Sequence, residues 1–203
     1  MDKFKDVLKD NLLALIRFGT EGQPNNLLLV LEKLDIKTLD RIRPLVIEHR
    51  RKTKVVPLFF TRRELSRAAD VFPLEFLDIK HPHELLHGTD YIEKISFQKP
   101  HVRRQLEYEL RSKLIHLREN YVWAKNMKDL FRSAVPSLMP LFYGLLYIRG
   151  AEVPSGLDAL FASVEKEYGI NLGALRKIRE GSDNFEGLMK VLNELILIVD
   201  KEE

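Results

Sequence analysis

Hydrophobic and polar positions divide the chain into two parts that differ in periodicity. In the first part, short apolar runs alternate with polar segments, and two of these runs flank a polar loop that begins at Gly19. Continuous apolar runs of this length are typical of strands in a sheet interior. Because Pro57 lies in the third run, we expect that strand at a sheet edge or a bulge. The predicted strands are 11–18, 27–31 and 54–60, followed by a short strand or helical turn that ends at Gly88.

Helical spacing and capping residues predict the helices of the first part. Pro44 lies inside one helical segment, where it predicts a kink or a boundary. Thr61 and Glu64 have the spacing of a capping box, in which each side chain satisfies a free backbone N–H. The predicted helices are 2–10, a second that starts at Asp35 or Thr38 and ends near Arg51, 62–69 and 73–78. In the second of them we expect the apolar stripe to consist of Ile36, Leu39, Ile42, Leu45 and Val46.

From Pro100 onward, apolar residues recur at steps of three and four, which predicts helices throughout. Glycines at 150, 169 and 181 suit helix ends, and Asn171 and either Ser182 or Asp183 suit helix starts. The predicted helices are 100–127, 129–149 with interruptions at Pro136 and Pro140, 155–168, 172–180 and 184–199. The sequence therefore predicts an α+β fold, with a mixed-sheet domain at 1–98 and an all-helical bundle at 99–203.

Composition narrows the classes of function. The 203 residues are 45% hydrophobic and 31% charged, and they include no cysteine. Disulfides, thiolate metal sites and a cysteine nucleophile are therefore excluded. No apolar run reaches the length of a membrane span, and the charged start lacks a signal-peptide core, so we expect no membrane partner and a cytoplasmic location. A net charge of +3 is too small to predict nucleic-acid binding, and the Lys, Arg and Glu content is typical of heat-adapted proteins.

Three segments resemble nucleotidyltransferases of the DNA polymerase β superfamily that carry a helical C-terminal domain. They follow a strand that ends in Gly19-Thr20 and a second apolar strand, and they read PLFFTRREL, DVFPLEFLDIKHPHELLHG and RRQLEYELRSKLIHLRENY. The resemblance implies a mixed β-sheet domain in which Gly19 and Thr20 hold nucleotide phosphates. It also implies two carboxylates, spaced Asp-x-Asp on the next strand, and a third on a later strand, which bind divalent metal ions.

This sequence departs from that pattern at the carboxylates. The segment that should carry Asp-x-Asp reads Pro24, Asn25, Asn26, Leu27, Leu28, and the later strand reads VVPLFF. Glu21 is the only acidic residue of the loop. We therefore expect a catalytically degenerate protein with a binding, regulatory or structural role, with no catalytic residue, no metal and no cofactor. The partners that we consider are a nucleotide at Gly19 and Thr20, and either a protein partner or a second copy in a homo-oligomer. The alternative is an active enzyme that binds Mg²⁺ through relocated ligands.

Two further patterns carry candidate chemistry. The segment HPHELLH contains His81, His83, Glu84 and His87, and on a helix His83 and His87 would share one face at a metal-binding spacing. The simpler interpretation, which we favour, is a solvated turn. Arg111 and His116 fit the Arg-x4-His spacing of HEPN-type ribonucleases, in which the histidine acts as acid or base, so a HEPN-like ribonuclease is the second form of the active-enzyme alternative. Five residues on a helix do not align these side chains well.

A basic cluster lies in the first half of the chain. Such a run can meet phosphate or RNA, although it more often forms the solvated end of a helix. We interpret it as a solvated helix end and do not expect a nucleic-acid partner. The cluster consists of Arg50, Arg51, Lys52, Lys54, Arg62, Arg63 and Arg67.

Overall fold

The chain, in a computed structural model that describes residues 2–19 and 26–202, is an α+β protein. Most predicted elements are present, with boundaries shifted by a few residues. The helices are α1 Asp2–Leu8, α2 Ile36–Thr53, α3 Arg62–Ala68, α4 Pro73–Lys80, α5 Lys99–Trp123, α6 Met127–Ser137, α7 Met139–Arg149, α8 Leu157–Tyr168, α9 Gly173–Arg179 and α10 Phe185–Val199. The strands are β1 Leu12–Phe18, β2 Asn26–Leu31, β3 Leu58–Thr61 and β4 His83–Gly88.

Contacts group the chain into two compact units. The first unit comprises Met1–Asp70 and Asp78–Ser96, and the second comprises Val71–Leu77 and Phe97–Glu203. The first unit contains all four described strands, and the second is helical. The chain therefore passes from one unit to the other more than once.

The sheet of the first unit has the strand order β3-β2-β1-β4. β1 runs antiparallel to both β2 and β4, whereas β2 and β3 are parallel. β3 is an edge strand that begins directly after Pro57, which confirms the prediction made from that proline. β1 ends at Phe18, which pairs with Asn26 on one side and with His83 on the other. The predicted phosphate-binding turn therefore starts at one end of the central strand.

The first unit builds its core on the two central strands. Leu27, Leu29 and Leu31 alternate along β2 and pack in one cluster with Phe4 of α1 and Ile42 of α2. Since side chains of a strand alternate between the two faces, this cluster covers one face of the sheet. The intervening residues are buried too, among them Ile16, Leu28 and Val30. Apart from Arg17 of β1 and Asn26 of β2, both central strands are apolar, and residues on both of their faces are buried.

Helix α2 differs from its prediction in two respects. Its apolar stripe is narrower, because Ile36 is 70% and Leu39 is 39% exposed, whereas Ile42 is buried. The helix contacts the core through the side that carries Ile42, and the first two apolar positions lie outside that contact. The helix also continues past Pro44 and ends with Lys54 in the left-handed conformation. Strand β3 consequently begins at Leu58 rather than at 54.

The capping box of α3 is confirmed. The Oγ1 atom of Thr61 accepts a hydrogen bond from the N–H of Glu64 at 3.2 Å, and Oε2 of Glu64 accepts one from the N–H of Thr61 at 2.6 Å. The start of α10 differs from its prediction. Asn184, rather than Ser182 or Asp183, accepts the N–H of Gly187 and caps this helix.

The second unit is organised around α5, which packs against α7 and α10. Its buried face consists of Val102, Leu106, Leu110, Leu114 and Leu117. The helix ends at Trp123, earlier than predicted, because Ala124 is extended. The predicted interruption near Pro136 and Pro140 is a break at Leu138, between α6 and α7.

The segment Val71–Leu77 packs within this second unit. A Cβ atom at Gly144 of α7 would lie 2.4 Å from Cδ2 of Leu74, so the absence of a side chain there permits the close approach. The N–H of Leu74 donates to Oε1 of Gln105 at 2.9 Å, and Nε2 of Gln105 donates to Oε2 of Glu75 at 2.7 Å. Gln105 of α5 thus anchors the segment by two hydrogen bonds.

Candidate functional site

The candidate site lies at the end of the sheet where β1 stops and β2 begins. Gly19 follows Phe18 directly and has φ 117°, a conformation that residues with a side chain rarely adopt. Its N–H donates to the carbonyl oxygen of Pro82 at 3.3 Å. This backbone donor, which the resemblance would direct at a phosphate, therefore has a partner within the protein. Thr20, Glu21, Pro24 and Asn25 lie outside the described residues.

The strands that border this turn offer almost no negative charge. Asn26 is half-buried at the first position of β2, and Leu27 and Leu28 after it are buried. Strand β3, Leu58–Thr61, carries no carboxylate either. Among the described residues of the four strands, Glu84 of β4 is the single acidic side chain.

Glu84 is held by a cation on the neighbouring strand. Its Oε2 accepts hydrogen bonds from Nη2 of Arg17 at 2.5 Å and from Nε of Arg17 at 3.0 Å. The two residues are opposite each other in the pairing of β1 and β4. Because both side chains are partly exposed, water screens the pair and its contribution to stability is small. One oxygen of the Glu84 carboxylate is therefore already bound by Arg17.

His83, at the first position of β4, forms a second charged pair at the same end of the sheet. Its Nε2 lies 2.8 Å from Oδ2 of Asp90, and its Nδ1 lies 2.9 Å from the carbonyl oxygen of Lys80. The carbonyl oxygen of Lys80 and the ionised carboxylate of Asp90 are both acceptors, so the imidazolium form of His83 can donate to both. The pair ties the start of β4 to the segment that follows the strand.

The pKa values agree with this assignment. Burial alone would lower the pKa of His83, but the hydrogen bonds to Asp90 and Lys80 and the negative charges of Asp90 and Glu93 outweigh it and raise the pKa. Burial would likewise raise the pKa of Asp90, yet the N–H of Glu93 and the imidazolium of His83 lower it. Each partner therefore favours the charged form of the other. No local pattern in the sequence indicated this pair, because Asp90 lies beyond the end of the strand.

The metal-binding interpretation of HPHELLH required a helix, and the segment is a strand. His83 and His87 are four residues apart on β4, so their Cα atoms are separated by roughly 13 Å. His83 uses both of its nitrogens in the contacts described above. Within residues 2–19 and 26–202, no group of three or more His, Cys, Asp or Glu side chains converges at a metal-binding geometry.

Arg111 and His116 are not brought together. Nη2 of Arg111 donates to both carboxylate oxygens of Asp200, at 2.7 and 3.0 Å, whereas Nδ1 of His116 lies 3.1 Å from Oε2 of Glu119. His116 borders a cleft of about 260 Å³ between α5, α6 and α10, whose lining includes Leu117 and does not include Arg111. The histidine and the arginine thus have separate partners and separate surroundings.

The basic cluster separates into two groups. Arg50, Arg51 and Lys52 form the last turn of α2, which leads through a short loop into the start of β3. Because β2 and β3 are parallel, that start lies at the same end of the sheet as Asn26, whereas the end of β3 lies beside Leu31. Arg62, Arg63 and Arg67 follow the far end of β3. The seven residues therefore do not form one surface.

Comparison with known proteins identifies no relative that would assign a role to the candidate site. No protein-family model, no curated protein and no solved structure matches this chain. Among the described helices, none is both long enough and apolar enough to cross a bilayer.

Proposed function

We propose that this chain is a nucleotidyltransferase-like protein that lacks the catalytic carboxylates and acts through binding, regulation or assembly. The observation that supports this proposal is the composition of the strands beside the turn at Gly19. Their side chains are apolar or neutral, apart from Arg17, the His83 imidazolium and Glu84, and Arg17 occupies the Glu84 carboxylate.

The chemistry of nucleotidyl transfer explains why this composition matters. The reaction develops negative charge on phosphate oxygens, and two metal ions held by carboxylates stabilise the entering and leaving groups. The amide of Asn26 is neutral, and Leu27 and Leu28 offer no ligand atom in their side chains. Glu84 and Asp90, the carboxylates at this end of the sheet that the structure describes, are each bound to a side chain of the protein, Arg17 and His83 respectively.

A weak nucleotide or phosphate site at Gly19 and Thr20 is part of the proposal. The Gly19 N–H already donates to Pro82, so a phosphate gains little when it replaces that carbonyl as the acceptor. Binding at this turn should therefore be weak, and it should not depend on Mg²⁺.

Titration calorimetry with ATP, in the presence and absence of Mg²⁺, tests the proposal. We expect weak or undetectable heat that is the same in both conditions, and no release of pyrophosphate. Mg²⁺-dependent binding in the micromolar range would contradict the proposal and favour an enzyme with relocated ligands. The variant Glu84→Gln then identifies the ligand, since it removes the carboxylate charge and retains the size of the side chain.

A further inference from the structure

The outward face of α5 carries two parallel rows of side chains. The first, the apolar row, consists of Tyr108, Ile115 and Val122, which are 69%, 53% and 87% exposed. The second, the arginine row, consists of Arg104, Arg111 and Arg118, all of which are exposed. This face lies opposite the buried residues that join α5 to the rest of the bundle.

Helix geometry gives both rows the same repeat. Seven residues are nearly two turns, so successive members of a row are about 10.5 Å apart and each row extends over about 21 Å. Each arginine lies roughly 40 to 60° around the helix from its neighbours in the apolar row. Because seven residues fall about 20° short of two full turns, the two rows wind slowly around the helix together, and positive charge follows one side of the apolar row.

Most of the charge on this face is not used within the chain. Arg111 binds Asp200 at 2.7 Å, and its Nε lies 3.5 Å from Oε1 of Glu107. Among the residues that the structure describes, neither Arg104 nor Arg118 has a hydrogen bond or ion pair. Three large exposed apolar side chains in line, beside two arginines without described partners, match the spaced anchors by which a second helix binds along a helix face.

A second copy of α5 does not complement this face. In an antiparallel pair, the same flank of each helix faces its counterpart, so the two arginine rows would repel each other. In a parallel pair, the arginine row would face the other flank, which consists of Gln105, Ser112 and Glu119. That flank has one carboxylate, and His116 already binds it at 3.1 Å.

A nucleic acid would complement the arginine row of this face but not the apolar row. Phosphates would satisfy the arginine row, but the aliphatic side chains of Ile115 and Val122 have no counterpart on a phosphate backbone. A helix with an apolar stripe and acidic residues beside it complements both rows. Its stripe buries the apolar row, and its carboxylates bind Arg104 and Arg118 through charge-assisted hydrogen bonds.

We propose that the outward face of α5 is a docking site for an acidic amphipathic helix of another protein. The apolar row supplies the area that is buried, and the arginine row fixes the charge and the direction of the bound helix. This inference concerns the second unit and does not depend on whether the first unit binds nucleotides.

The test uses the full chain and two synthetic helical peptides of about 21 residues, the length needed to cover both rows. Both carry leucine in a heptad stripe; one has glutamate on its flanks and the other has lysine. Fluorescence anisotropy of the labelled peptides measures affinity. Trp123, the single tryptophan of the chain, is 82% exposed at the end of α5, and its emission should shift to shorter wavelength on binding.

We expect the glutamate peptide to bind at least about tenfold more tightly than the lysine peptide. The double variant Arg104→Glu/Arg118→Glu should reverse this preference. The matched control Arg63→Glu/Arg67→Glu makes the same charge change on α3 and should leave both affinities unchanged. Circular dichroism establishes that each variant is folded.

Three results would overturn the inference. The first is that neither peptide binds, or that the two bind equally well to the parent chain. The second is that a single-stranded oligonucleotide binds through Arg104 and Arg118 when the glutamate peptide does not. The third is a dimer, detected by sedimentation, that Ile115→Glu dissociates, because a second copy would then cover the face.

Discussion

The turn end of the sheet and the outward face of α5 differ in how their polar groups are used. At the turn, Arg17 binds Glu84, His83 binds Asp90, and the N–H of Gly19 binds Pro82. On α5, three apolar side chains and three arginines are exposed, and two of these arginines have no partner among the described residues. Groups that satisfy one another stabilise the fold but offer little to a ligand, whereas exposed and unpaired groups remain available for binding. Of the two regions, the outward face of α5 in the second unit therefore has the polar groups that remain available for binding.

The largest expected effect comes from breaking the pairing of β1 and β4 at the end of the sheet opposite the turn, where Gly88 pairs with Ala14. Gly88 closes β4 at φ +80°, and a Cβ atom there would lie 1.9 Å from the carbonyl oxygen of Leu13. Because that atom belongs to the backbone of β1, the clash can be relieved only by separating the strands. We expect Gly88→Ala to lower the free energy of unfolding by more than about 4 kcal/mol, as measured by urea denaturation.

Gly150→Ala is the matched control. Gly150 has φ +69°, with no described atom within 4 Å of an added Cβ. The substitution should cost only the left-handed conformation, about 1 kcal/mol. Equal losses at the two glycines would show that the contact with Leu13 does not constrain β4.

An intermediate effect comes from removing the same side chain in each region. Ile16 of β1 is fully buried and Ile115 of α5 is 53% exposed. We expect Ile16→Ala to lower the free energy of unfolding by about 3 kcal/mol, through lost burial and a cavity. Ile115→Ala should change it by less than about 0.5 kcal/mol. A comparable loss at Ile115, measured by the same denaturation, would mean that the apolar row supports the fold and is not a free surface.

The smallest of these effects depends on pH. The raised pKa of His83 means that its contribution to stability is complete below its unfolded pKa, near 6.5, and is lost as the pH rises through the folded value. The lowered pKa of Asp90 means that its contribution is present above its unfolded pKa and is lost as the pH falls through the folded value. The pair should therefore stabilise the fold most in mildly acidic solution.

We expect Asp90→Asn to cost roughly 1 to 2 kcal/mol near pH 6 and less near pH 9, because the contribution of His83 is lost as the pH rises through its raised pKa. Urea denaturation of the parent and the variant at the two pH values measures the difference. His83→Gln serves as the control, since removal of the imidazole should abolish the pH dependence of the Asp90 effect. A loss that is the same at both pH values would contradict the assignment of an imidazolium.

Signals that are local in the sequence predicted structure best. The capping box of Thr61 and Glu64 is complete within four residues, and the apolar runs of β1 and β2 require burial wherever they occur. Features that depend on contacts between residues far apart in the sequence were harder to predict. The exposed position of Ile36 depends on how α2 docks on the sheet, and the strand conformation of His83–Gly88 depends on pairing with β1.

The same distinction between local signals and distant contacts applies to the candidate sites. The absence of carboxylates from β2 and β3 could be predicted from the sequence, because it depends only on residue types at known strand positions. The partners of His83 and Arg111 could not, because Asp90 follows the strand and Asp200 lies 89 residues away from Arg111. The two rows of α5 were within reach, since a seven-residue repeat of arginine and of apolar residues is visible once the helix is assigned.

The hydrogen bonds from Gln105 to the segment Val71–Leu77 also bear on how the protein can be divided. This short segment belongs to the second unit, yet the chain on both sides of it belongs to the first. A fragment that starts at residue 99 would lack Leu74, and the space beside Gly144 would be left empty. Because the segment precedes α5 in the chain, it is synthesised before the helix to which it is hydrogen-bonded. Each unit is therefore made of two separate stretches of the chain. A chimaera that exchanges one unit must replace both of its stretches.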